Sequence, residues 1–365
     1  MFPIVDLETM TAMQRWVAQI LLAVISVIGT LVLIEIGLRV GGYSPSFVNP
    51  LLGFNVRDPI LGHRGRPNID QRFRERDFDV AVQHDAEGFR KPGRPHAVPQ
   101  GAPTLLVFGD SFTWGWGVEQ GGIFTDQLSD DFPGVSVRNL GIGGIGTLVE
   151  FRLFETGGFA KSLRPGDTVA VMFFRNDFED NVAGRLSATV RGGEVVPNDV
   201  NIDWDQRLDA LRSRVYLFNL ISYNLEAYFK SRRQAQLAAI GEDSTAARVT
   251  EYYLSQFKKQ SEAVGARFLV VEIPDRSLYG EGVADQRILD HCTTAHTLLL
   301  KLTRKLGIET LDLLPAFRTA AQESPGQPLA FANDSHWNAS GHRVAARAIA
   351  DRLRRDGVAG ASWPR

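Results

Sequence analysis

The sequence has almost no cysteine, no excess of charge of one sign and no repeated segment, and each absence removes a class of protein. Cys292 is the single cysteine among 365 residues, so an internal disulfide and a cysteine-based metal cluster are excluded. The 40 Lys and Arg residues are balanced by 42 Asp and Glu residues, for a formal net charge of −2. Nothing in this balance favours a nucleic-acid partner. Without internal repeats or low-complexity tracts, the composition is that of a globular protein.

One long apolar run is present near the N-terminus. It extends from Trp16 to Leu38, "WVAQILLAVISVIGTLVLIEIGL", and is interrupted only by Gln19 and Glu35 near its two ends. About 20 apolar residues cross a bilayer as a helix, and a charge near the helix end costs less than one at the centre. A cleaved signal peptide fits less well, because its apolar run is shorter and no small-x-small cleavage site follows here. A buried core helix is the other alternative. Residues 1–40 are therefore predicted to be a tail and one uncleaved transmembrane helix.

The charges around this run do not fix its orientation. Arg15 precedes the run, and Arg39 and Arg57 follow it, so the positive-inside rule gives no clear answer. A short tail before a large domain is typical of a signal anchor whose domain is translocated. We therefore expect a single-pass membrane protein whose main domain is extracytoplasmic, on the periplasmic side.

Residues 41–103 are rich in Pro and Gly and are predicted to be an irregular connector with one strand-like alternation, Phe78–Arg90. Residues 104–358 then alternate between strands and helices, with an insertion at 179–244. The predicted strands are Thr104–Asp110, Val135–Gly141, Asp167–Phe174, Arg267–Ile273 and Ile308–Leu314, and the predicted helices include Leu148–Leu163, Ala246–Val264, Asp285–Leu306 and Gly341–Arg355. This order predicts a parallel sheet with helices on both faces, that is, a three-layer α/β/α fold.

The insertion contains two recognisable patterns. "SATVRGGEVV" predicts a small hairpin with a Gly-Gly turn. A helix is predicted to follow, with one apolar stripe made of Leu208, Leu211, Val215, Phe218, Ile221, Leu225 and Phe229. Such a stripe packs on the domain in most proteins, and a lid over a site or a surface on lipid are the alternatives.

A possible nucleophile follows the first strand of the main domain. In "LLVFGDSFTWGWG" the strand stops at Gly109-Asp110-Ser111. Ser111 is either a polar residue that caps the next helix or a nucleophile. A nucleophile needs a base, a residue that orients the base, and donors for an oxyanion. The absence of a G-x-S-x-G elbow argues against the α/β-hydrolase form of this chemistry.

His336 is the candidate base. It lies in "FANDSHWNASGHRVAARAIA", just before a predicted C-terminal helix, with Asp334 two residues upstream and Asn333 three residues upstream. A loop histidine between an acid and a helix start is well placed for general-base chemistry. No metal site is predicted, because His291 and His296 lie on one predicted helix at i, i+5, a poor spacing for shared ligation. The other six histidines are interpreted as structural or solvated: His63, His84, His96, His291, His296 and His342.

Candidate oxyanion donors follow the next two strands. "NLGIGGIGT" (Asn139–Thr147) fits the pattern GxGxxG, but it follows the second strand and Asp167 is misplaced for a ribose contact, so the dinucleotide interpretation is weak. The glycines still permit a tight turn with exposed N–H groups. Asn176 ends the third strand in "FFRNDFEDN", where its amide can donate to the same point.

Taken together, Gly109-Asp110-Ser111, Gly144, Asn176-Asp177 and the C-terminal acid–His pair resemble the SGNH/GDSL hydrolase family, from Thr104 to about Leu353. This resemblance implies a flavodoxin-like α/β/α fold and a serine esterase or acyltransferase. It also implies that Ser111 is the nucleophile and His336 the base. The oxyanion donors would be the backbone N–H groups of Ser111 and Gly144 and the side chain of Asn176.

The sequence departs from the family pattern at two positions. Phe174 replaces the usual Gly of Gly-x-Asn-Asp, and Asn333 stands where the acid normally lies, three residues before the His. Asp334 instead gives Asp-x-His-Trp, which is similar to the polysaccharide O-acetyltransferases of the alginate type. Asp334 is assigned as the acid. The alternative is a Ser-His dyad in which Asn333 or a backbone carbonyl orients the ring.

Three functions remain open at this point. The first is a membrane-anchored serine esterase that cleaves an O-acyl ester, such as acetyl, on a cell-envelope carbohydrate; the second is an O-acyltransferase with the same residues. The third is an inactive membrane-tethered binding module. No cofactor, metal or nucleic-acid partner is predicted. The sequence does not determine the oligomeric state. Trp114 and Trp116, beside Ser111, either stack on a sugar or pack in the core.

Overall fold

The structure, a computed structural model, describes residues 11–43, 51, 53–184, 186–198, 202–237, 240–282 and 285–357. In these ranges the helices are α1 (Ala12–Val40), α2 (Ser111–Trp114), α3 (Phe124–Asp131), α4 (Thr147–Thr156), α5 (Phe159–Ser162), α6 (Asp177–Ala183), α7 (Ile202–Arg214), α8 (Tyr216–Leu237), α9 (Thr245–Ala263), α10 (Gln286–Lys305), α11 (Leu314–Glu323) and α12 (Ala339–Arg355). The strands are β1 (Asn55–Asp58), β2 (Gly62–Gly65), β3 (Asp70–Glu75), β4 (Phe78–Gln83), β5 (Thr104–Gly109), β6 (Ser136–Gly141), β7 (Thr168–Phe173), β8 (Ala188–Arg191), β9 (Glu194–Pro197), β10 (Arg267–Glu272) and β11 (Glu309–Asp312).

The five segments that were predicted as strands form one parallel sheet in the order β11-β10-β7-β5-β6. Alternate side chains of β5 enter different cores: Leu106 and Phe108 enter one, and Leu105 and Val107 enter the other. Helices α4 and α9 cover the first face, and α3, α11 and α12 cover the second. Coverage on both faces explains why β5 is a continuous apolar run. The predicted three-layer α/β/α class is confirmed.

The register of this sheet determines where a site can form. Gly109, the last residue of β5, pairs with Gly141 at the end of β6 and with Met172 in β7. The loops after these three strands therefore emerge side by side at the carboxyl edge, where ligands bind in open α/β sheets.

The helices agree with prediction except at two places. The predicted helix Leu148–Leu163 is divided into α4 and α5 by Gly157 and Gly158. The predicted single helix over the stripe from Leu208 to Phe229 is wrong, because the chain breaks at Val215 between α7 and α8. The hairpin β8–β9 is present, and both turn glycines, Gly192 and Gly193, have positive φ, as a type I′ turn requires.

The segment predicted as an irregular connector contains two antiparallel hairpins, β1–β2 and β3–β4. The prediction recognised β4 but not β3, whose sequence "DQRFRE" is mostly charged. Only Phe73 of β3 is buried, while Arg72 and Arg74 pair with Asp79 on the neighbouring strand. Strand β3 is therefore stabilised by cross-strand ion pairs on its exposed face. Its sequence lacks the apolar alternation from which a strand is predicted.

The chain divides into two compact units: residues 1–52 with 203–229, and residues 53–202 with 230–365. The boundaries predicted from the sequence at 40 and 103 remain predictions about separate domains. In the first unit, α1 begins with a capping box formed by Thr11 and Gln14. None of its residues is buried, so the core-helix alternative is wrong. By length and composition α1 can cross a membrane.

Candidate active site

The Gly-Asp-Ser sequence forms a sharp turn from β5 into α2. The Asp110 side chain accepts a hydrogen bond from the Phe112 N–H and so caps the helix that begins at Ser111. Gly109 allows this close turn, because a Cβ there would lie 2.1 Å from the Thr113 hydroxyl oxygen. Ser111 is thereby presented at the carboxyl edge of the sheet, half-buried.

His336 reaches Ser111 from the far end of the chain. The two residues are 225 positions apart, yet the Ser111 Oγ lies 2.7 Å from the His336 Nε2. The other ring nitrogen, Nδ1, lies 2.5 Å from Asp334 Oδ1, which also accepts the backbone N–H of His336 at 2.8 Å. The structure therefore brings Ser111, His336 and Asp334 into one line of hydrogen bonds.

The charge of Asp334 sets the direction of these bonds. Burial raises the pKa of Asp334. The hydrogen bonds and positive charge of His336 lower it by a larger amount, so the pKa of Asp334 lies below its usual range. An ionised Asp334 can only accept, so Nδ1 carries the ring proton. Nε2 is then the acceptor that faces the Ser111 hydroxyl.

Asn333, the residue at the usual family position for the acid, does not contact the His336 ring. Its backbone N–H and its side-chain amide both donate to Asp77 in the β3–β4 turn, at 2.8 and 2.5 Å. Arg276 holds the same loop from the other side, because its Nη1 donates to the carbonyls of Phe331 and Asp334. The loop that carries His336 is thus fixed by two residues distant in sequence.

The two tryptophans beside Ser111 have different surroundings. Trp116 stacks on the His336 ring, with centroids 4.7 Å apart and planes 15° apart, and its indole contributes to the low pKa of Asp334. Trp114 is buried, and its N–H donates to His84 Nε2 at 2.9 Å. A buried Trp114 has no face for a sugar, so packing is the correct interpretation for it.

Two connector histidines support the site, a role that the sequence did not suggest. His84 is fully buried, and burial lowers its pKa to about 4. It is therefore a neutral acceptor for Trp114. His63 lies 2.9 Å from the carbonyl oxygen of Gly143 in the glycine-rich turn. Both histidines precede β5 in the sequence, and only the tertiary fold shows that they contact the turns of the site.

The three predicted oxyanion donors come from the three adjacent strand ends. The N–H of Ser111 starts α2, and Gly144 is exposed with φ +80°, a backbone conformation that favours glycine. Among the described residues, no hydrogen-bond acceptor is found for either N–H. The Asn176 amide donates to Asp180 Oδ2 at 2.9 Å, which fixes its orientation.

Behind these donors lies a cluster of three buried carboxyl groups: Asp110, Glu150 and Asp177. Burial raises the pKa of Asp110 to about 6, and it raises those of Glu150 and Asp177 well above their usual values. Asp177 accepts a hydrogen bond from the Thr147 hydroxyl at 3.0 Å. A raised pKa favours the neutral form of each carboxyl, and less negative charge behind the donors favours an anion in front of them. In sequence these residues look like ordinary helix acids.

Phe174, which departs from the family pattern, has a packing role. Its ring lies 4.6 Å from that of Phe112, which in turn lies 4.8 Å from the His336 ring. Phe174 is buried and therefore extends the aromatic support behind the histidine.

The remaining histidines lie outside this group. His296 lies 3.0 Å from Glu272 and 3.6 Å from Asp312, the last residues of β10 and β11. The pairing of β10 with β11 brings these two acids, which are distant in sequence, together beside His296. The three side chains are close enough to hold a cation, although His296 itself can supply the positive charge. His342 is buried in α12 and accepts the Phe124 N–H, as expected for a structural residue.

Comparison with known proteins relates the C-terminal part of the chain to one family model. Residues 231–363 match the SGNH hydrolase-like domain of the acetyltransferase AlgX. The predicted resemblance to the SGNH/GDSL hydrolases is thereby confirmed for this part of the chain, which contains Asp334 and His336. No curated protein matches the sequence.

The similar solved structures include a catalytic mutant of Axe2, an acetylxylan esterase from Geobacillus stearothermophilus, at 17% identity and TM-score 0.43, covering 73% of this chain and 97% of that one. LAE5, an α/β hydrolase enzyme from the metagenome of Lake Arreo, has 14% identity and TM-score 0.42, covering 72% and 97%. A member of the lipolytic G-D-S-L family from Veillonella parvula has 15% identity and TM-score 0.40, covering 70% and 100%.

The Asn176 amide provides a direct test of the oxyanion donors. Asn176→Ala is expected to lower kcat for ester hydrolysis by about 10²- to 10³-fold with little change in KM, because a donor of this kind acts mainly on the transition state. Steady-state kinetics of the full-length protein with p-nitrophenyl acetate measure both constants. Asp180→Asn, which keeps an acceptor for the same amide, is the control and should lose less than tenfold. An unchanged kcat in Asn176→Ala would remove this residue from the site.

Proposed function

We propose that this protein is a membrane-anchored serine acyl hydrolase in which Ser111 is the nucleophile, His336 the base and Asp334 the residue that orients the base. The observation that carries this proposal is the 2.7 Å separation of Ser111 Oγ and His336 Nε2, with Asp334 on the opposite ring nitrogen. Nucleophile, base and orienting group within hydrogen-bond reach are the signature of covalent catalysis. The same geometry argues against an inactive binding module.

In the first half of the reaction, the Ser111 oxygen attacks the ester carbonyl while its proton passes to His336 Nε2. The N–H groups of Ser111 and Gly144 and the Asn176 amide hold the oxygen that becomes negative, each worth roughly 3–4 kcal/mol. His336 then gives its proton to the departing alcohol. An acyl-Ser111 ester remains, and the charge of Asp334 stabilises the imidazolium during the transfer.

In the second half, the acyl group passes from Ser111 to an oxygen nucleophile that His336 deprotonates. Water as acceptor gives an esterase, and a sugar hydroxyl gives an O-acyltransferase. We favour the esterase as the simplest activity of this site. The transferase is the second candidate, supported by the match to the SGNH hydrolase-like domain of an acetyltransferase.

The proposed substrate is an O-acyl ester, such as acetyl, on a cell-envelope carbohydrate. This proposal rests on the apolar helix α1, none of whose residues is buried, and on the acetyltransferase named in the family match. A chain anchored by α1, with its main domain on the periplasmic side, would meet acylated envelope polymers rather than metabolites of the cytoplasm.

The fate of the acyl group tests the two activities against each other. The full-length protein is incubated with p-nitrophenyl acetate, with and without an excess of an unacetylated β-linked oligosaccharide, and the products are quantified by mass spectrometry. For the esterase we expect acetate as the main product and no acetylated oligosaccharide. Acetylated oligosaccharide as the main product would establish the transferase instead. Without any release of p-nitrophenol in either condition, the proposed hydrolase activity would be wrong.

A further inference from the structure

Helices α7 and α8 of the insertion are joined by one buried arginine. The Arg212 side chain, only 9% exposed, donates to the Ser222 hydroxyl at 2.9 Å and lies 2.9 Å from a Glu226 carboxylate oxygen. Its guanidinium also lies 4.4 Å from the centre of the Tyr223 ring. The polar side of α8 is therefore directed toward α7, and the two helices form a pair that we call the insertion hairpin.

The other side of α8 exposes apolar residues to the surroundings. Ile221, Leu225 and Tyr228 are 49%, 51% and 49% exposed and follow one another at i, i+4 and i+7, which places them on one face. We call these three residues the apolar stripe. In a soluble protein such a face is usually polar or covered, whereas about half of the surface of each of these three side chains is exposed.

The N-terminus of α8 is bonded to the end of α1. Glu35 accepts the first N–H groups of α8, from Tyr216 at 3.0 Å and Leu217 at 2.8 Å. Arg39 donates to the carbonyl oxygen of Arg214, and the Tyr43 hydroxyl donates to Asn219 at 2.8 Å. This contact also explains the break at Val215, because a carboxylate at a helix N-terminus stabilises the start of a new helix.

The position of Glu35 along α1 places this junction near the surface of a bilayer. The hydrocarbon core is about 30 Å thick, and a helix needs about 20 residues to cross it. The segment from Trp16 to Glu35 has this length. Aromatic residues are also concentrated here. Four of the seven tyrosines of the chain belong to α8 or to the segment that follows α1: Tyr43, Tyr216, Tyr223 and Tyr228. Tyrosine is enriched at membrane–water interfaces.

We propose that the insertion hairpin lies on the membrane, with the apolar stripe inserted at the boundary between lipid headgroups and acyl chains. The proposal rests on the anchoring role given to α1 under the proposed function. A lipid surface is favoured as occupant because the stripe belongs to a helix that starts at the end of the apolar span. The sequence after the stripe continues with Lys230, Arg232 and Arg233, and basic residues bind anionic headgroups. The insertion would thus be a second membrane contact.

Site-directed fluorescence tests the position of the stripe. Single cysteines are introduced into the full-length protein by Ile221→Cys and, separately, Leu225→Cys, and labelled with the environment-sensitive dye NBD; native Cys292 is buried and is replaced by Ser as background. The proteins are placed in nanodiscs of phosphatidylethanolamine and phosphatidylglycerol, with or without doxyl-labelled lipid. We expect doxyl lipid to reduce the fluorescence at 221 and 225 at least twofold, and aqueous iodide to have little effect.

Two reference positions separate the possible failures. Ile25→Cys, in the middle of α1, reports lipid, and Glu194→Cys, at the exposed start of β9, reports water. If position 25 is quenched by doxyl lipid but 221 and 225 only by iodide, the hairpin is in water and the inference is wrong, although the anchor stands. Protection of 221 and 225 from both quenchers would mean a protein partner or a second copy on the stripe, which also overturns it. Iodide quenching at position 25 would refute the anchor and the inference together.

Discussion

Ser111→Ala is expected to lower kcat for p-nitrophenyl acetate by about 10³-fold or more, to the level that the oxyanion donors and binding alone provide. The expectation follows from the position of Ser111 Oγ, 2.7 Å from His336 Nε2. Alanine removes the attacking oxygen, so no acyl-enzyme can form. The half-buried serine makes no other described side-chain hydrogen bond, so the fold and KM should change little.

The matched control is Ser255→Ala. Ser255 is a half-buried serine of α9 whose hydroxyl bonds only locally, to the carbonyl of Tyr252. Its kcat should remain within twofold of the parent. If Ser111→Ala kept more than a tenth of the parent activity while purified free of contaminating esterase, the reaction would not proceed through this serine.

Asp334→Asn is expected to have the second largest effect, a loss in kcat of about 10²- to 10⁴-fold. Asparagine is nearly isosteric but neutral, so it removes the charge that stabilises the imidazolium and permits the wrong ring tautomer. Because the pKa of Asp334 is held below its usual range, the parent keeps this carboxylate ionised into mildly acidic solution. Its support of His336 is present above that pKa and is lost only as the pH falls through it.

Asn333→Ala separates the two candidates for the orienting residue. The Asn333 amide is occupied by Asp77 and does not contact the His336 ring, so kcat should fall less than fivefold. Kinetics of both variants with p-nitrophenyl acetate decide between them. A large loss in Asn333→Ala with near-parent activity in Asp334→Asn would reverse our assignment and restore the family's usual position for the acid.

The central fold was predictable because its signals are local. Strands β5 and β7 are continuous apolar runs and β10 is one between its end residues, and a strand such as β5 with both faces in a core can hardly have another pattern. Strands β6 and β11 carry polar residues, but their place in the alternation of strands and helices predicted them. The elements that were missed depend on partners elsewhere in the chain. Strand β3 is recognised only through the ion pairs of Arg72 and Arg74 with Asp79. The start of α8 at Tyr216 depends on Glu35, which lies 181 residues earlier.

For the candidate site, the sequence predicted the residues of the site but not the residues that hold them in place. Ser111, Gly144 and Asn176 follow strand ends, which placed them near one edge, while His336 was placed only in a loop before the C-terminal helix. The structure brings Ser111 and His336 into contact; their catalytic roles stay predictions. The stacking of Trp116 on His336 could not be read from spacing alone, because it depends on how two loops meet. Likewise, only the fold reveals that Glu150 is buried and that burial raises its pKa.

The most direct measurement is covalent trapping of the full-length protein with a fluorophosphonate, followed by intact-mass analysis and peptide sequencing. Such a probe reacts with a serine only when a base activates it. We expect one adduct per chain, located on Ser111, with no reaction in Ser111→Ala and a rate at least a hundredfold lower in His336→Ala. An adduct on a different residue, or an unmodified chain under conditions that label a known serine esterase, would contradict the account.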